Sequence, residues 1–180
     1  MLGFPEQAVR ISDAKDAHAR GLGHPFDLGW ALTTGAEVFD HLGEPDELLK
    51  RVAEADRLAR ENNLLILAEC NVPIHSGIAL IRKGQTAEGV TSLERGLAVW
   101  AKGGGQAISP YFKSVLAEGM AQRGDLEGAL DLIGEVIAQI ERPGWEERHY
   151  YAEALRIKGW LLSLQGDSAG AEHAYIASLD

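Results

Sequence analysis

The 180 residues carry a formal net charge of −10, from 27 acidic and 17 basic side chains, and 46% of them are hydrophobic. The apolar share is sufficient for a buried core, whereas the acidic balance argues against a nucleic-acid partner, because phosphate binding needs clustered Lys and Arg. A single cysteine, Cys70, excludes an internal disulfide and a cysteine-based zinc cluster, and it fits a cytoplasmic protein.

Glycines at a nearly constant spacing divide the chain into similar stretches. Gly3, Gly43, Gly84, Gly124 and Gly166 lie 40, 41, 40 and 42 residues apart. Glycine suits the left-handed residue that ends a helix, and a proline or aspartate soon after most of these glycines suits the start of the next one. In chain order, the predicted helices are Pro5–Arg20, Pro25–Leu42, Pro45–Asn62, Leu64–Lys83, Ala87–Ala101, Pro110–Arg123, Leu126–Glu141, Glu146–Gln165 and Ser168–Leu179.

Local residues refine this pattern at three places. Pro73 lies inside a predicted helix, so we expect a kink or a late start there. The tripeptide Arg-Gly-Asp around Gly124 resembles an adhesion signal, but its glycine belongs to the periodic set, and we interpret it as a corner between two helices. Glu146 and Glu147 are expected to open the last long helix, where the helix dipole favours acids.

Small residues recur at fixed distances from the corner glycines. One lies seven positions before the later corners, and at several of them a second small residue lies five positions after. Such residues let two successive helices approach closely, so each unit is predicted to be a hairpin of a helix A before the corner and a helix B after it. The residues assigned to this structural pattern are Ala36, Gly43, Gly77, Gly84, Ala117, Gly124, Ala129, Gly159, Gly166 and Ala171.

This spacing resembles the tetratricopeptide repeat (TPR), although the period here is about 41 residues rather than about 34. The resemblance implies an all-α, right-handed solenoid of about four and a half helical hairpins. The stretches Leu22–Leu32, Gly96–Leu130 and His149–Asp167 are similar to the C-terminal repeat region of bacterial multidomain signalling proteins, in which a nucleotide cyclase or a DNA-binding regulator precedes an AAA-type ATPase. That likeness implies that residues 1–180 are a single repeat domain, expected to be a fragment of a larger cytoplasmic signalling protein.

No motif for catalysis is found in the sequence. Phosphate loops, nucleophile elbows, zinc-protease helices and calcium loops are absent, so we expect no enzyme activity, no cofactor and no metal. His149 and Glu153 are four residues apart and could present two metal ligands on one helical face, but such a pair is common on solvated helices. Cys70 is interpreted as a small packing residue.

The A helices of a TPR-like solenoid line a concave groove, and we expect this groove to bind a protein or peptide. A small-molecule sensor that controls an upstream cyclase, ATPase or DNA-binding domain is the alternative. Trp30 and Trp160 either face the groove or pack between repeats, and the sequence leaves both open. The residues assigned to the groove are Trp30, Thr33, Glu37, Asn71, Ile74, Arg82, Tyr111, Ser114, Glu118, Gln122, Glu153, Arg156 and Trp160.

The end of the chain is expected to be adhesive. Tyr175, Ile176 and Leu179 lie on the last predicted helix with no following repeat to cover them, and solenoid ends need polar caps. We therefore predict self-association through this end. No membrane partner is expected, because the most apolar stretch, Leu64 to Ile81, is interrupted by polar residues.

Overall fold

Secondary structure in the described part of the chain is entirely helical. The computed structural model describes residues 4–105, 107–145 and 147–179, and within these ranges it contains nine α-helices, one π-helical turn and no strand. In chain order these are α1 (Pro5–Leu22), α2 (Pro25–Leu42), α3 (Pro45–Glu61), the π-helical turn Leu67–Asn71, α4 (Val72–Arg82), α5 (Thr86–Lys102), α6 (Ser109–Gln122), α7 (Leu126–Glu141), α8 (Tyr151–Gln165) and α9 (Ser168–Ala177).

The predicted helices are confirmed, and the largest difference is the late start of α8. The prediction begins this helix at Glu146, which lies outside the described residues, whereas α8 begins at Tyr151. Both carboxylate oxygens of Glu147 lie 2.9 Å from the backbone nitrogen of Ile108, whose N–H they accept, and the Trp145 indole donates to the Glu147 carbonyl at 3.0 Å. Glu147 is therefore held in a loop, and its assignment to the first turn of α8 is wrong.

Pro73 disturbs the second A-type helix, as the sequence predicts. Proline has no N–H to donate to the carbonyl four residues earlier, and the helix widens just before it. The N–H of Val72 donates to the carbonyl of Leu67, five positions back, as in a π-helix. The helical backbone is continuous from Leu65 through the π-helical turn into α4, so Pro73 is accommodated by a widened turn and the helix does not start late.

The Arg-Gly-Asp tripeptide forms the corner between α6 and α7. Gly124 has a φ of +97°, a left-handed conformation that strains residues with a Cβ. Oδ1 of Asp125 accepts the N–H of Gly128 at 3.1 Å and caps α7, and Asp167 caps α9 through Gly170 at 2.9 Å. The interpretation as a corner is confirmed. Three other predicted corner glycines, Gly43, Gly84 and Gly166, also have positive φ.

We expect Asp125→Ala to lower the free energy of unfolding by about 0.5–2 kcal/mol, because the N–H of Gly128 loses its acceptor. Asp125→Asn keeps an acceptor at the same place and should cost much less. Urea denaturation followed by circular dichroism measures both variants, and equal losses would contradict the cap.

Consecutive helices pack in two compact units, one ending at Gly103 and the other beginning at Gly104. We name α2, α4, α6 and α8 A-type and the other helices B-type. In the first unit α2 contacts α1, α3 and α4, and α5 packs on α4. In the second unit α6 contacts α7 and α8, and α9 packs on α8. Each unit therefore contains a direct contact between two successive A-type helices.

Small residues allow the closest contacts within the hairpins. A Cβ at Gly77 of α4 would lie 2.7 Å from the carbonyl oxygen of Gly89 in α5, and the ring of Tyr175 in α9 covers Gly159 of α8. These are positions that the repeat pattern assigned to close packing. The alanines of the same pattern, Ala36, Ala117, Ala129 and Ala171, are buried.

Candidate functional site

Polar side chains join the two A-type helices of the first unit, and the residues of two such pairs are the same number of positions apart in the sequence. Asn71 Nδ2 donates to Thr33 Oγ1 at 3.5 Å, and Glu37 Oε1 lies 3.1 Å from His75 Nε2. The other ring nitrogen of His75 lies 2.8 Å from the carbonyl oxygen of Asn71. Both pairs of residues are 38 positions apart, so α2 meets the next A-type helix at equivalent points along its length.

This contact buries residues that were expected to line an open groove. Thr33, Asn71 and Ile74 are at most 5% exposed, and their assignment to an accessible groove is corrected. Thr33 and Asn71 are covered because neighbouring A-type helices pack side by side, whereas Ile74 is covered by α5, where Gly96 lies against it. Arg82 stays on the surface, where its Nε donates to Asp40 Oδ1 at 2.7 Å.

The second unit repeats this arrangement between α6 and α8. Tyr111 is buried, and its ring stacks on Tyr150 with centroids 5.0 Å apart. Ser114 is buried and donates to a carbonyl of its own helix. Glu118 is nearly buried and accepts Arg156 Nη2 at 3.1 Å, again 38 positions apart. Tyr111 and Glu118 therefore take part in contacts between helices, and Ser114 bonds within its own helix, so the assignment of these three buried residues to an open groove is corrected.

Several predicted groove residues remain accessible. Arg156 donates to the Glu153 carboxylate at 2.7 and 2.8 Å, and this hydrogen bonding raises the pKa of the arginine. Trp160 is half-buried against the core of the second unit, and Glu37 is also half-buried. Trp30 is 37% exposed. The accessible members of the predicted set are Trp30, Arg82, Gln122, Glu153 and Arg156.

Trp30 lines a cleft between α1 and α2, with a volume of about 400 Å³. Its walls are mainly apolar and are formed by Ala19, Leu22, Phe26, Trp30 and Ala31. The Phe26 and Trp30 rings stack with centroids 5.9 Å apart, and Leu22 is 59% exposed. Sequence periodicity alone does not indicate this α1–α2 cleft.

Three polar side chains also line the α1–α2 cleft: Lys15, His18 and Asp27. The Lys15 ammonium donates to Thr34 Oγ1 at 2.8 Å, and burial lowers the pKa of Lys15. Asp27 lies 3.7 Å from the imidazole of His24 at the rim. The cleft thus combines apolar walls with one half-buried amine, the usual composition of a binding site.

A buried ion pair lies between α1 and α3, and sequence reasoning missed it. Arg51 donates to the carboxylates of Asp16 and Asp13, and its guanidinium lies 4.5 Å from the centre of the Phe39 ring. The side chains of Arg51 and Asp16 are each 10% exposed, and burial raises the pKa of Asp16. In the sequence, this pair is indicated only by Ser12 and Asp16, which lie four residues apart on one face of a helix. The same spacing is equally typical of a face exposed to solvent.

The candidate nucleophile is buried, and the two candidate metal ligands do not share a helical face. Burial raises the pKa of Cys70 to about 11, so the thiol is poorly suited to act as a nucleophile. His149 lies in the turn before α8 and packs on the Tyr150 ring, so it does not share a helical face with Glu153. In residues 4–105, 107–145 and 147–179 no group of three or more His, Cys, Asp or Glu side chains is placed to hold a metal ion.

The last helix leaves apolar side chains in solvent. Tyr175, Ile176 and Leu179 are all exposed. Self-association through this end stays a prediction.

These elements define an all-α protein built of packed helical hairpins. No protein-family model matches the chain, and no significant match to a curated protein is found. In the part of the chain that the structure describes, no helix has the length and apolar character needed to cross a membrane.

Proposed function

We propose that this chain is a protein-interaction module, a right-handed solenoid of TPR-like hairpins that binds a protein or peptide segment. The observation that carries the proposal is that, within each unit, side chains 38 residues apart join the two A-type helices. Glu37 with His75, and Glu118 with Arg156, join successive A-type helices at the same 38-residue offset. Repeats that stack in one register build a continuous surface from neighbouring helices, and repeat proteins use such surfaces for binding.

The surface we propose for binding in the second unit is the accessible stripe of α8. It carries Glu153, Arg156 and half-buried Trp160, and Trp and Arg are the residue types that most often dominate interface energy. Arg156 is already bonded to Glu153 and Glu118. A carboxylate of the partner would therefore compete with the exposed Glu153 for the guanidinium.

The setting that we propose is a larger cytoplasmic signalling protein of bacteria. The resemblance of Gly96–Leu130 and His149–Asp167 to repeat regions of such proteins supports this assignment. The chain's one cysteine, Cys70, is free and buried, as suits a reducing compartment.

A thermal-shift screen of peptides and metabolites tests the proposed function, because a ligand that binds only the folded state raises the Tm. We expect peptides to give the shifts. Arg156→Ala and Trp160→Ala should weaken peptide binding about tenfold or more, and Arg142→Ala, an exposed arginine of the same unit, should leave binding unchanged.

Two results would count against the proposed function. Shifts given by metabolites alone would favour the small-molecule sensor instead. If a peptide raised the Tm of the Arg156→Ala, Trp160→Ala and Arg142→Ala variants equally, α8 would not be part of the binding surface. Circular dichroism of each variant separates lost binding from lost folding.

A further inference from the structure

We propose that the α1–α2 cleft binds small aldehydes with an apolar body, and that the side-chain amine of Lys15 joins their carbonyl carbon as an imine. Such a site goes beyond the proposed function, because its ligand is a small molecule and its walls belong to α1 and α2 rather than to α8. Three features carry it: the walls of the cleft, the hydrogen bonding of Lys15, and the charges around this lysine.

The α1–α2 cleft has the size and the walls of a small-molecule site. Its volume of about 400 Å³ lies within the usual range for such sites. Phe26 and Trp30 form an aromatic wall, with their rings stacked at a centroid distance of 5.9 Å, and Leu22 and Ala31 add aliphatic surface. An aryl ring placed against these walls would bury apolar area, which is favourable.

Lys15 is the amine that lines this cleft, and its surroundings differ from those of a surface lysine. Lys50 lies 3.1 Å from the carboxylate of Glu47. In the described part of the chain Lys15 has no carboxylate at ion-pair distance, and its one hydrogen bond goes to Thr34 Oγ1 at 2.8 Å. An ammonium without an adjacent opposite charge is held less firmly in its charged form.

The hydroxyl of Thr34 fixes the direction of this hydrogen bond. Thr34 Oγ1 donates its single hydrogen to the carbonyl oxygen of Trp30 at 2.9 Å. The hydroxyl can therefore only accept from Lys15, and the amine is the donor. When the amine is neutral, Thr34 does not use its lone pair, and this lone pair can attack a carbonyl carbon.

Burial increases the share of neutral amine at Lys15. It lowers the pKa of this lysine, against the smaller opposing effects of Asp16 and Glu37, while Arg51 acts in the same direction as burial. Neutral lysine is the nucleophile in imine formation, and burial is a usual way of activating it. Lys15 should therefore react with a carbonyl near neutral pH more readily than a fully exposed lysine.

The reaction needs only the amine and the carbonyl group. The Lys15 nitrogen forms a bond to the carbonyl carbon while the π electron pair of the C=O bond moves to the oxygen, and a proton passes from nitrogen to that oxygen through solvent. The nitrogen then gives up its second proton, the oxygen leaves as water, and the C=N bond forms. One amine and one aldehyde give one imine and one water, with no oxidation or reduction.

Competition between lysines of the full chain tests this site. The probe is para-ethylbenzaldehyde with sodium cyanoborohydride, which reduces an imine to a stable secondary amine, and mass spectrometry of proteolytic peptides gives the labelling rate of each lysine. We expect Lys15 to be labelled about tenfold or more faster than Lys102, an exposed lysine at the end of α5. Formaldehyde, which has no apolar body, should show a much smaller preference.

Two matched variants separate the cleft from the amine. Leu22 is an exposed wall of the cleft, so Leu22→Asn should slow the labelling of Lys15 by para-ethylbenzaldehyde severalfold and leave its labelling by formaldehyde unchanged. Leu164 is 53% exposed and lies outside the cleft. Leu164→Asn should therefore leave both rates unchanged.

Three results would overturn the proposal. The first is labelling of Lys15 no faster than that of Lys102, and the second is an equal rate with para-ethylbenzaldehyde in the parent and in Leu22→Asn. The third concerns para-ethylbenzoate, which has the same body but cannot form an imine. If it raised the Tm as much as the aldehyde does, the cleft would bind an anion beside a charged Lys15 instead.

The proposed function and this site fail separately. Peptide binding that depends on Arg156, without preferred labelling of Lys15, would keep the proposed function and reject the aldehyde site. Preferred labelling of Lys15 in a chain that binds no peptide would do the reverse.

Discussion

Arg51→Met is expected to lower the free energy of unfolding by about 3–5 kcal/mol, because it leaves the buried carboxylate of Asp16 without its cation. Methionine keeps an unbranched side chain at this position, so most of the loss reports the uncompensated charge. Urea denaturation near pH 7 followed by circular dichroism measures it. Asp16→Asn in the same chain should recover most of the loss, because the buried charge is then gone.

Arg20→Met is the matched control for this prediction. Arg20 donates to Glu54 through two hydrogen bonds of 2.6 Å, but the arginine side chain is 49% exposed. Water screens such a pair, so its removal should cost about 1 kcal/mol or less. If Arg20→Met lowered the free energy of unfolding as much as Arg51→Met, burial of the ion pair would not be the cause of the large effect at Arg51.

The loss of unfolding free energy caused by Arg51→Met should become smaller as the pH falls. Burial already raises the pKa of Asp16 in the folded protein, and loss of the cation raises it further. The folded state then holds the proton more tightly than the unfolded state, so stability decreases as the pH rises through the interval between the two pKa values. Denaturation at about pH 4 should show a smaller difference between variant and parent than denaturation near pH 7.

Gly77→Ala is expected to destabilise the first unit by about 1–3 kcal/mol, although alanine is the better helix former. The added Cβ would lie 2.7 Å from both the Gly89 carbonyl oxygen and the Leu93 backbone nitrogen. Backbone atoms in a helix cannot turn aside as the tip of a long side chain can, so α4 and α5 must separate and lose packing along their length. Thermal and urea denaturation measure the loss.

Gly134→Ala in α7 is the same substitution without the obstruction. Apart from its chain neighbours and the backbone of its own helix, no atom lies within 4 Å of a Cβ placed there, so we expect a gain of about 0.5–1 kcal/mol from helix propensity alone. The two alanine variants should therefore have opposite signs. A gain in both would contradict the close approach of α4 and α5.

The hairpin order was predictable because helix ends depend on local chemistry. A glycine in the left-handed conformation and an aspartate that caps the following helix need only their own neighbours, as Gly124 and Asp125 show. The disturbance of the helix next to Pro73 follows equally from one residue, through its missing N–H. The helices between these ends were predictable because the corner glycines recur every 40 to 42 residues.

Burial of the candidate site could not be predicted, because it depends on how closely two helices approach. Thr33 and Tyr111 lie on the A-type face that the sequence assigned to a groove, yet the next A-type helix covers both. The pairing of Asp16 with Arg51 joins residues 35 positions apart. No local pattern distinguishes that charge pair from charges on a solvated helix.

The contact between Ile108 and Glu147 has a consequence for the order in which the chain folds as it is synthesised. Ile108 has a φ of +62°, a left-handed conformation that costs a branched residue about 1–2 kcal/mol. The carboxylate that accepts its N–H lies 39 residues later in the sequence. The start of α6 therefore acquires its final hydrogen bonds only after α7 and the loop that follows it have left the ribosome.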